Sequence, residues 1–134
     1  MNDCIFCKIA NHEINGKIIY EDAICIAFLD LSQVTNGHTL VIPKKHYSDF
    51  LEVDTETLAH LTKITQKLTT MITTKLNAKG VNILTNTRQI AGQTVMHFHI
   101  HIIPRYKEVE GINIAFKDRS NEVDLDSIYS TIMK

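Results

Sequence analysis

The chain has 134 residues and a formal net charge of -1, with 44% hydrophobic and 22% charged residues, which fits one domain (1–134) with its own core. Charges of both signs are mixed along the chain, so no basic patch indicates nucleic-acid binding, and no apolar stretch is long enough to span a membrane. The polar N-terminus does not resemble a signal peptide, and three cysteines, an odd number, indicate a reducing compartment and therefore the cytoplasm.

Three short strands are predicted in the first half of the chain, because apolar and β-branched segments alternate there with turns such as Asn-Gly. The second of these strands contains Cys25, which is best explained as a core residue. His12 and His60 have no partner in the sequence and are interpreted as ordinary polar positions. The predicted strands cover residues 17–22, 23–30 and 39–43.

The period of the apolar residues changes to a helical one over residues 54–78. Asp54 is suited to cap this helix, and Gly80 is placed to end it. Threonine is frequent in the segment, so tertiary packing rather than intrinsic propensity must hold the helix. Its apolar stripe consists of Leu58, Leu61, Ile64 or Thr65, Leu68, Ile72 and Leu76.

The remainder of the chain predicts two more strands and a second helix. Residues 81–85 read as a strand, and a polar loop over 86–93 leads to a strand that carries three histidines. Strands before and after one long helix predict an α+β fold with a mainly antiparallel, five-stranded sheet. The C-terminal helix is predicted over residues 121–133, with Val123, Leu125, Ile128 and Ile132 on one side.

Three histidines alternate with apolar residues near the end of the sheet sequence. Side chains of a β-strand point alternately to opposite faces, so His97, His99 and His101 would share one face and Phe98 the other. A helix is disfavoured by the density of β-branched and aromatic residues, and Pro104 is expected to stop the strand. An edge strand with solvated histidines is the alternative, but three in register argue against it. The outer Cα atoms would be about 13 Å apart, too far for all three to bind one zinc ion.

Residues 97–103 (HFHIHII) resemble the signature of the histidine-triad (HIT) family of nucleotide hydrolases and transferases. Residues 37–46 (GHTLVIPKKH) are similar to the second hallmark of its Hint-like bacterial branch, and the resemblance runs over residues 4–106. It implies a HIT-like fold and a homodimer with the helix 54–78 at the interface. Uridylyltransferases of the superfamily carry Gln at the third triad position, so His101 favours a hydrolase.

The resemblance also implies catalytic roles for three histidines. His99 would attack the α-phosphorus of a purine nucleotide substrate, an AMP derivative, to give an adenylyl-histidine intermediate that water then hydrolyses. A hydrogen bond from its Nδ1–H would leave the Nε2 lone pair facing phosphorus. His101 would contact the phosphoryl oxygen or bridging atom, with His38 as an auxiliary group. No catalytic metal is expected.

A glycine beside the triad strand lets backbone N–H groups approach an anion. Gly92 has this position, and Gln93 and Thr94 add an amide and a hydroxyl, although a plain turn would explain the same residues. The resemblance places the α-phosphate at this loop and Asn86 on its phosphate side. Asp30 aligns with the acid that binds the ribose hydroxyls, whereas on its own it reads equally as a turn residue. The apolar walls around the purine are matched by Ile5, Phe6, Ile9, Phe28 and Leu31.

The N-terminal Cys4-x-x-Cys7 pair has the spacing of half a zinc site, but the usual paired-histidine half is missing. A redox pair or chance spacing are the alternatives. The resemblance implies a structural zinc bound by Cys4, Cys7, His46 and His97. Such an ion would connect the base-binding segment to the catalytic strand and leave the two later histidines of the triad for chemistry.

Three functions fit these residues. The first is a purine nucleoside phosphoramidase acting on AMP joined through a P–N bond, and the second is a dinucleoside polyphosphate hydrolase. The third is a nucleotide-binding or zinc-stabilised interaction protein with little turnover, against which an intact His99 argues. A cupin-like metal enzyme is disfavoured, because its His-x-His motif is followed at short range by a Glu ligand and the nearest following acid here is Glu108.

Overall fold

The structure, a computed structural model, describes residues 3–134. Its five strands form one antiparallel sheet in the order β1-β2-β3-β5-β4, as the α+β interpretation predicts. The only crossover carries the long helix, which joins β3 to the edge strand β4 among the described residues. The elements are α1 (Ile5–Ala10), β1 (Ile18–Glu21), β2 (Cys25–Leu29), β3 (Thr39–Pro43), α2 (Thr55–Lys75), β4 (Gly80–Leu84), β5 (Ile100–Arg105) and α3 (Leu125–Ile132).

The sheet buries a core on each face because neighbouring side chains of a strand point to opposite sides. One core lies under α2 and the other under α1. His101 is paired with Leu40, a residue of the α1 core, so the histidine row lies on the face opposite α2. The strand residues of the α2 core are Cys25, Ala27, Val41, Ile100 and Ile102, and those of the α1 core are Ile26, Phe28, Leu40 and Ile42.

The long helix begins as predicted and ends earlier. Asp54 accepts a hydrogen bond from the Thr57 N–H at 2.7 Å and is the N-cap. The end predicted from Gly80 is wrong, because α2 stops at Lys75 and Gly80 already belongs to β4. The chain turns at Asn77, whose φ of 56° is a left-handed conformation that asparagine tolerates. Of the predicted apolar stripe, five residues are buried, namely Leu61, Ile64, Thr65, Leu68 and Ile72. The prediction is wrong for Leu76, which lies beyond α2 and is exposed, and Leu58 is only partly buried.

The strand that carries the triad is shorter at its start than predicted and longer at its end. β5 begins at Ile100, and the two earlier histidines lie in the irregular segment before it, where the Phe98 N–H donates to the Tyr47 carbonyl at 2.6 Å. Pro104 lies inside β5 and does not stop it. Its carbonyl accepts from the Thr35 hydroxyl at 2.6 Å, at a position beyond the paired part of β3, so the missing N–H breaks no ladder bond.

The N-terminal helix α1 is an element that the sequence pattern did not predict. It has only six residues, and helices of that length depend on packing. Cys4 acts as its N-cap, since its sulfur accepts from the Cys7 N–H at 3.4 Å. Phe6 and Ile9 are buried against the sheet, so tertiary contacts hold the helix.

The C-terminal part of the chain leaves the sheet and ends in an exposed helix. Gly111 is in close contact with the loop before β3, where an added Cβ would lie only 2.0 Å from the Val34 carbonyl oxygen. The predicted helix over 121–133 is observed only as a 3-10 turn at Ser120–Glu122 followed by α3. No residue of α3 is buried. Within residues 3–134, no helix is both long and apolar enough to cross a membrane.

Candidate active site

His99 is held with one ring nitrogen free. Its ring is almost fully buried, and its Nδ1 lies 2.7 Å from the His97 carbonyl oxygen. A carbonyl oxygen only accepts, so Nδ1 carries the proton and Nε2 keeps its lone pair. The Thr85 hydroxyl donates to the His99 carbonyl at 2.7 Å, and the Phe6 ring packs edge-on with its centroid 5.1 Å away. The imidazole is therefore held as a neutral ring with an unprotonated Nε2.

His38 and His101 form a hydrogen-bonded pair beside it. The Val34 N–H donates to Nδ1 of His38 at 3.4 Å, which assigns the His38 proton to Nε2. That Nε2–H donates to Nδ1 of His101 at 2.9 Å, so the remaining proton of His101 is on its Nε2. The centroids of the His99 and His101 rings are 4.9 Å apart. The pair thus leaves an N–H on Nε2 of His101, whose ring neighbours the ring of His99.

Burial keeps these histidines neutral. It lowers the pKa of His101 to about 4, with the neighbouring His99 and His38 acting in the same direction and Asp30 opposing them. Burial also lowers the pKa of His99 and that of His38, again against the carboxylate of Asp30. The carboxylate Oδ2 is 3.6 Å from Nε2 of His38. All three rings are consequently uncharged at neutral pH.

Asp30 and the loop before β5 are the predicted contacts of the ribose and the α-phosphate, and some of their polar groups are already used within the chain. The Asp30 Oδ1 accepts from the Ser32 N–H at 2.8 Å, so the turn role and the approach to His38 coexist. Gly92 has a φ of +104°, and a Cβ there would lie 3.3 Å from the Asn86 amide nitrogen. Thr94 is exposed. These residues leave the loop surface open to an anion.

Gln93 does not offer a donor to a ligand, which corrects the expectation drawn from the sequence. Its side chain is 1% exposed, and its amide donates to the Ser48 carbonyl at 2.7 Å and to the Val95 carbonyl at 3.0 Å. Its amide oxygen accepts from the Arg88 N–H at 2.7 Å. The residue fastens the loop from inside, because its side-chain donors are used by backbone groups.

The five apolar residues matched to the purine walls fall into two groups. Phe6, Ile9 and Phe28 are buried in the α1 core, where the two phenyl rings meet at a centroid distance of 5.6 Å. Ile5 and Leu31 are 48% and 93% exposed. Only these last two present a free apolar surface to a ligand. Ile5 also lines, with Thr94, an open cavity of about 500 Å³ beside the cysteine pair.

The four residues expected to bind zinc converge on one point. Nδ1 of His97 is 3.3 Å from the Cys4 sulfur, 3.5 Å from the Cys7 sulfur and 3.2 Å from Nδ1 of His46. The Cys7 sulfur is 3.4 Å from Nδ1 of His46. Zinc bonds of about 2.3 Å to sulfur and 2.0–2.1 Å to nitrogen in a tetrahedron require about 3.5 Å between sulfur and nitrogen and about 3.3 Å between nitrogens. The donor set fits that ion.

The buried His97 has the tautomer that metal binding needs. Its Nε2 lies 2.8 Å from the Pro43 carbonyl, to which it donates, so the Nδ1 lone pair faces the cysteines. Burial lowers the pKa of His97 to about 4, which favours the neutral ring that a metal requires.

A polar cluster on the α2 side of the sheet was not predicted from the sequence. His60 was interpreted as an unpartnered polar residue, but its Nε2 lies 2.7 Å from Oδ2 of Asp22, which also accepts from the Tyr20 hydroxyl at 2.8 Å. His12 likewise contacts the Glu21 carboxylate at 2.8 Å. Cys25 is fully buried as predicted, and burial together with Asp22 raises the pKa of its thiol to about 12. Nothing in the sequence signals the pairing of His60 with Asp22, because the two residues are 38 positions apart in the chain.

Comparison with known proteins agrees with this geometry. The HIT domain family model matches residues 11–108. A HIT-like protein of Methanocaldococcus jannaschii is 46% identical over 129 residues, covering 96% of this chain and 98% of the relative. The fold, the histidine row and this match place the chain in the HIT family.

Two relatives have names that state an activity. The adenosine 5'-monophosphoramidase hnt1 of Schizosaccharomyces pombe is 37% identical over 113 residues, with 84% of this chain and 82% of that protein covered. The adenylylsulfatase HINT3 of Arabidopsis thaliana is 34% identical over 132 residues, with 98% of this chain and 66% of that protein covered.

Solved structures show the same fold. A HIT family protein from Bacillus anthracis superposes with a TM-score of 0.92 at 44% identity, covering 98% of this chain and 96% of that one. A zinc-bound histidine triad family protein from Mycobacterium smegmatis superposes with a TM-score of 0.78 at 35% identity, covering 90% and 87%. The HIT-like α+β fold predicted from the sequence is confirmed.

Proposed function

We propose that the protein is a hydrolase that cleaves AMP derivatives, purine nucleoside phosphoramidates in particular, at the α-phosphorus through an adenylyl-His99 intermediate. The observation that carries this proposal is the hydrogen bond from Nδ1 of His99 to the His97 carbonyl, which leaves Nε2 as a neutral nucleophile. The two relatives named as a monophosphoramidase and as an adenylylsulfatase support an adenylyl substrate.

The reaction would proceed in two displacements. Nε2 of His99 forms a bond to phosphorus while the P–N bond breaks, and the nitrogen leaves with the bonding electrons and takes a proton from water, with the Nε2–H of His101 as its hydrogen-bond donor. Water then attacks phosphorus in the adenylyl group, the bond between His99 Nε2 and phosphorus breaks with its electron pair returning to Nε2, and AMP and a proton are released to solvent. The hydrogen bond of 2.9 Å between His38 and His101 orients the donor throughout.

Substrate binding is assigned to groups around the triad. Asp30 would accept the ribose hydroxyls, and the exposed side chains of Ile5 and Leu31 would contact the purine. Gly92, Thr94 and Asn86 would face the α-phosphate, while Gln93 holds their loop in place. Charge on the transferred phosphoryl group is stabilised mainly by such preoriented donors.

We further propose that Cys4, Cys7, His46 and His97 hold a structural zinc ion and that the protein is a cytoplasmic homodimer. The zinc-bound Mycobacterium smegmatis relative and the tetrahedral spacing of the donor atoms support the metal. The unpaired edge of β4 and the exposed Ile83 on that strand support pairing between the sheets of two protomers, next to α2.

Replacement of the nucleophile tests the mechanism. His99→Ala should lower kcat on an AMP phosphoramidate by on the order of 10³-fold or more while AMP binding is retained, because the ribose and base contacts lie elsewhere. His12→Ala, at an exposed histidine, is the control and should behave as wild type. A denaturing quench at alkaline pH during turnover should leave the adenylyl group on position 99, because a P–N bond to imidazole survives base and is cleaved by acid.

A comparison of two substrates tests the specificity. We expect a higher kcat/KM on an AMP phosphoramidate than on a diadenosine polyphosphate, measured side by side. The reverse order would assign the protein to the dinucleoside polyphosphate hydrolases. Turnover that is negligible on both, or that persists in His99→Ala, would contradict the enzymatic proposal and favour a nucleotide-binding interaction protein.

A further inference from the structure

The C-terminal helix α3 carries an apolar face that is largely exposed. Its apolar side chains are between 45% and 76% exposed, and none of its residues is buried. A contiguous apolar surface of this kind marks an interaction site. The side chains concerned are Leu125, Ile128, Tyr129, Ile132 and, just beyond the helix, Met133.

The length of α3 gives a second reason to expect a partner. The helix has eight residues, and isolated helices shorter than about 12–15 residues are marginal in water. Its N-cap bond, from the Ser127 N–H to Asp124 at 3.2 Å, stabilises one end only. Packing of the apolar face must supply the rest of the stability.

The same chain carries an apolar groove on the α2 side of the sheet. The groove has a volume of about 410 Å³ and runs between the last turns of α2 and the β1 and β2 strands. Among residues 3–134, Lys75 is the one charged residue that lines the groove, and no acid lines it. Its apolar walls are Ile19, Leu29, Met71, Ile72 and Leu76.

We propose that α3 of each protomer docks into this groove on a second copy of the chain, so that two protomers exchange their C-terminal arms. The inference extends the proposed homodimer by naming the segment that joins its halves. Charge favours the pairing, because Glu122, Asp124 and Asp126 lie at the start of the arm's helix and Lys75 lies at the groove.

The segment before α3 is also long enough for the C-terminal arm to reach a second protomer. Residues 112–124 have no strand or α-helix, and at about 3.3 Å per extended residue they reach up to about 40 Å.

Disulfide trapping between two different variants tests the contact. The full chain carrying Ile128→Cys is mixed with the full chain carrying Met71→Cys, and mild oxidation should give a covalent dimer joined at positions 71 and 128. Leu51→Cys, at an exposed leucine outside the groove, replaces Met71→Cys in the control and should give no such product. A disulfide that forms only within one chain, when both substitutions are in the same molecule, would overturn the exchange in favour of docking in cis.

A charge reversal provides an independent readout in solution. Lys75→Glu should weaken dimerisation by 10-fold or more in sedimentation equilibrium, and Asp126→Lys in the same chain should restore it. Lys17→Glu, at an exposed lysine outside both α2 and the groove, is the control. An unchanged dissociation constant in Lys75→Glu and in Ile132→Asp would overturn the arm exchange while leaving the proposed dimer intact. A wild-type protein that sediments at 15.2 kDa at all concentrations would overturn both the arm exchange and the proposed dimer.

Discussion

His97 serves two sites with two different parts of one residue. Its ring presents Nδ1 to the cysteines, and its backbone carbonyl accepts the Nδ1–H of His99. A histidine at this point therefore connects the proposed zinc ligands to the orientation of His99, the proposed nucleophile, although its side chain takes no part in the proposed reaction. The alternating sequence predicted that the three histidines share one face. It did not predict that the ring and the carbonyl of His97 contact two different sites.

The pH dependence of kcat/KM should reflect the buried state of His101. We expect a level profile from pH 8 down through pH 6.5 and a decline only as the pH approaches about 4, where His101 gains a proton and can no longer accept from His38. The measurement is kcat/KM against pH on a substrate that does not itself titrate in this range. A decline centred near 6.5, the pKa of a free imidazole, would contradict the buried assignment.

Arg88 holds a backbone conformation that favours glycine, with φ 75° and ψ 158°. Its N–H is tied to the Gln93 amide oxygen, which glycine would keep. Arg88→Gly should therefore stabilise the protein by about 1 kcal/mol in urea unfolding, since relief of roughly 1–3 kcal/mol of strain exceeds the entropic cost of glycine. Arg119→Gly, at an exposed arginine with φ -119°, should give no gain. A lower free energy of unfolding in Arg88→Gly than in wild type would show that the backbone of Arg88 is not strained.

At the scale of elements, α2 is joined to the β1–β2 turn by one carboxylate. Burial acts to raise the pKa of Asp22, but hydrogen bonds from the Cys25 and Ile24 N–H groups, His60 and Tyr20 outweigh it and hold the pKa well below its usual range. A depressed pKa stabilises the folded state above the unfolded value near 3.9 and loses that effect as the pH falls below it. The turn and the helix should thus separate first in acid.

Asp22→Asn should lower the free energy of unfolding by about 1–3 kcal/mol at pH 7, because it weakens hydrogen bonds to a half-buried anion. The difference from wild type should shrink as the pH falls from 4 towards 2. Glu108→Gln, at an exposed acid, serves as the control. Urea unfolding at several pH values measures both, and a difference that stays constant with pH would show that Asp22 does not act through its charge.

The sequence predicts a helix or a strand correctly where its ends are determined by residues that are close in the chain. The cap of α2 at Asp54 and its buried stripe follow from residues within the helix. The start of β5 does not, because the Tyr47 carbonyl and the cysteine pair draw residues 97–99 out of the ladder. The His60–Asp22 bond is equally non-local and left no pattern to read.

At the scale of the whole molecule, the proposed zinc would act on function only through structure. Cys4→Ser together with Cys7→Ser should lower Tm and raise KM more than it lowers kcat, because the ion fastens α1, which carries Ile5, to the segment before His99. Cys25→Ala is the control and should retain one zinc per chain in elemental analysis. Chelation should reproduce the double variant.

Two results would count against this role of the metal. Purified wild-type protein without zinc, melting identically in chelator, would remove the site. A collapse of kcat on chelation with an intact fold and unchanged KM would instead make the metal catalytic. Neither is expected, because the four donor atoms form a closed set around His97, which is fully buried.

The contact between Gly111 and Val34 has an evolutionary consequence. A methyl group at position 111 would overlap the backbone of the loop that leads to His38, so any other residue must displace either the loop or the root of the C-terminal arm. A lineage of this protein can therefore not remodel the tail from its base without disturbing the histidine pair. Variation in the arm should accumulate beyond position 111, where the chain is free to diverge, and the junction itself should remain glycine.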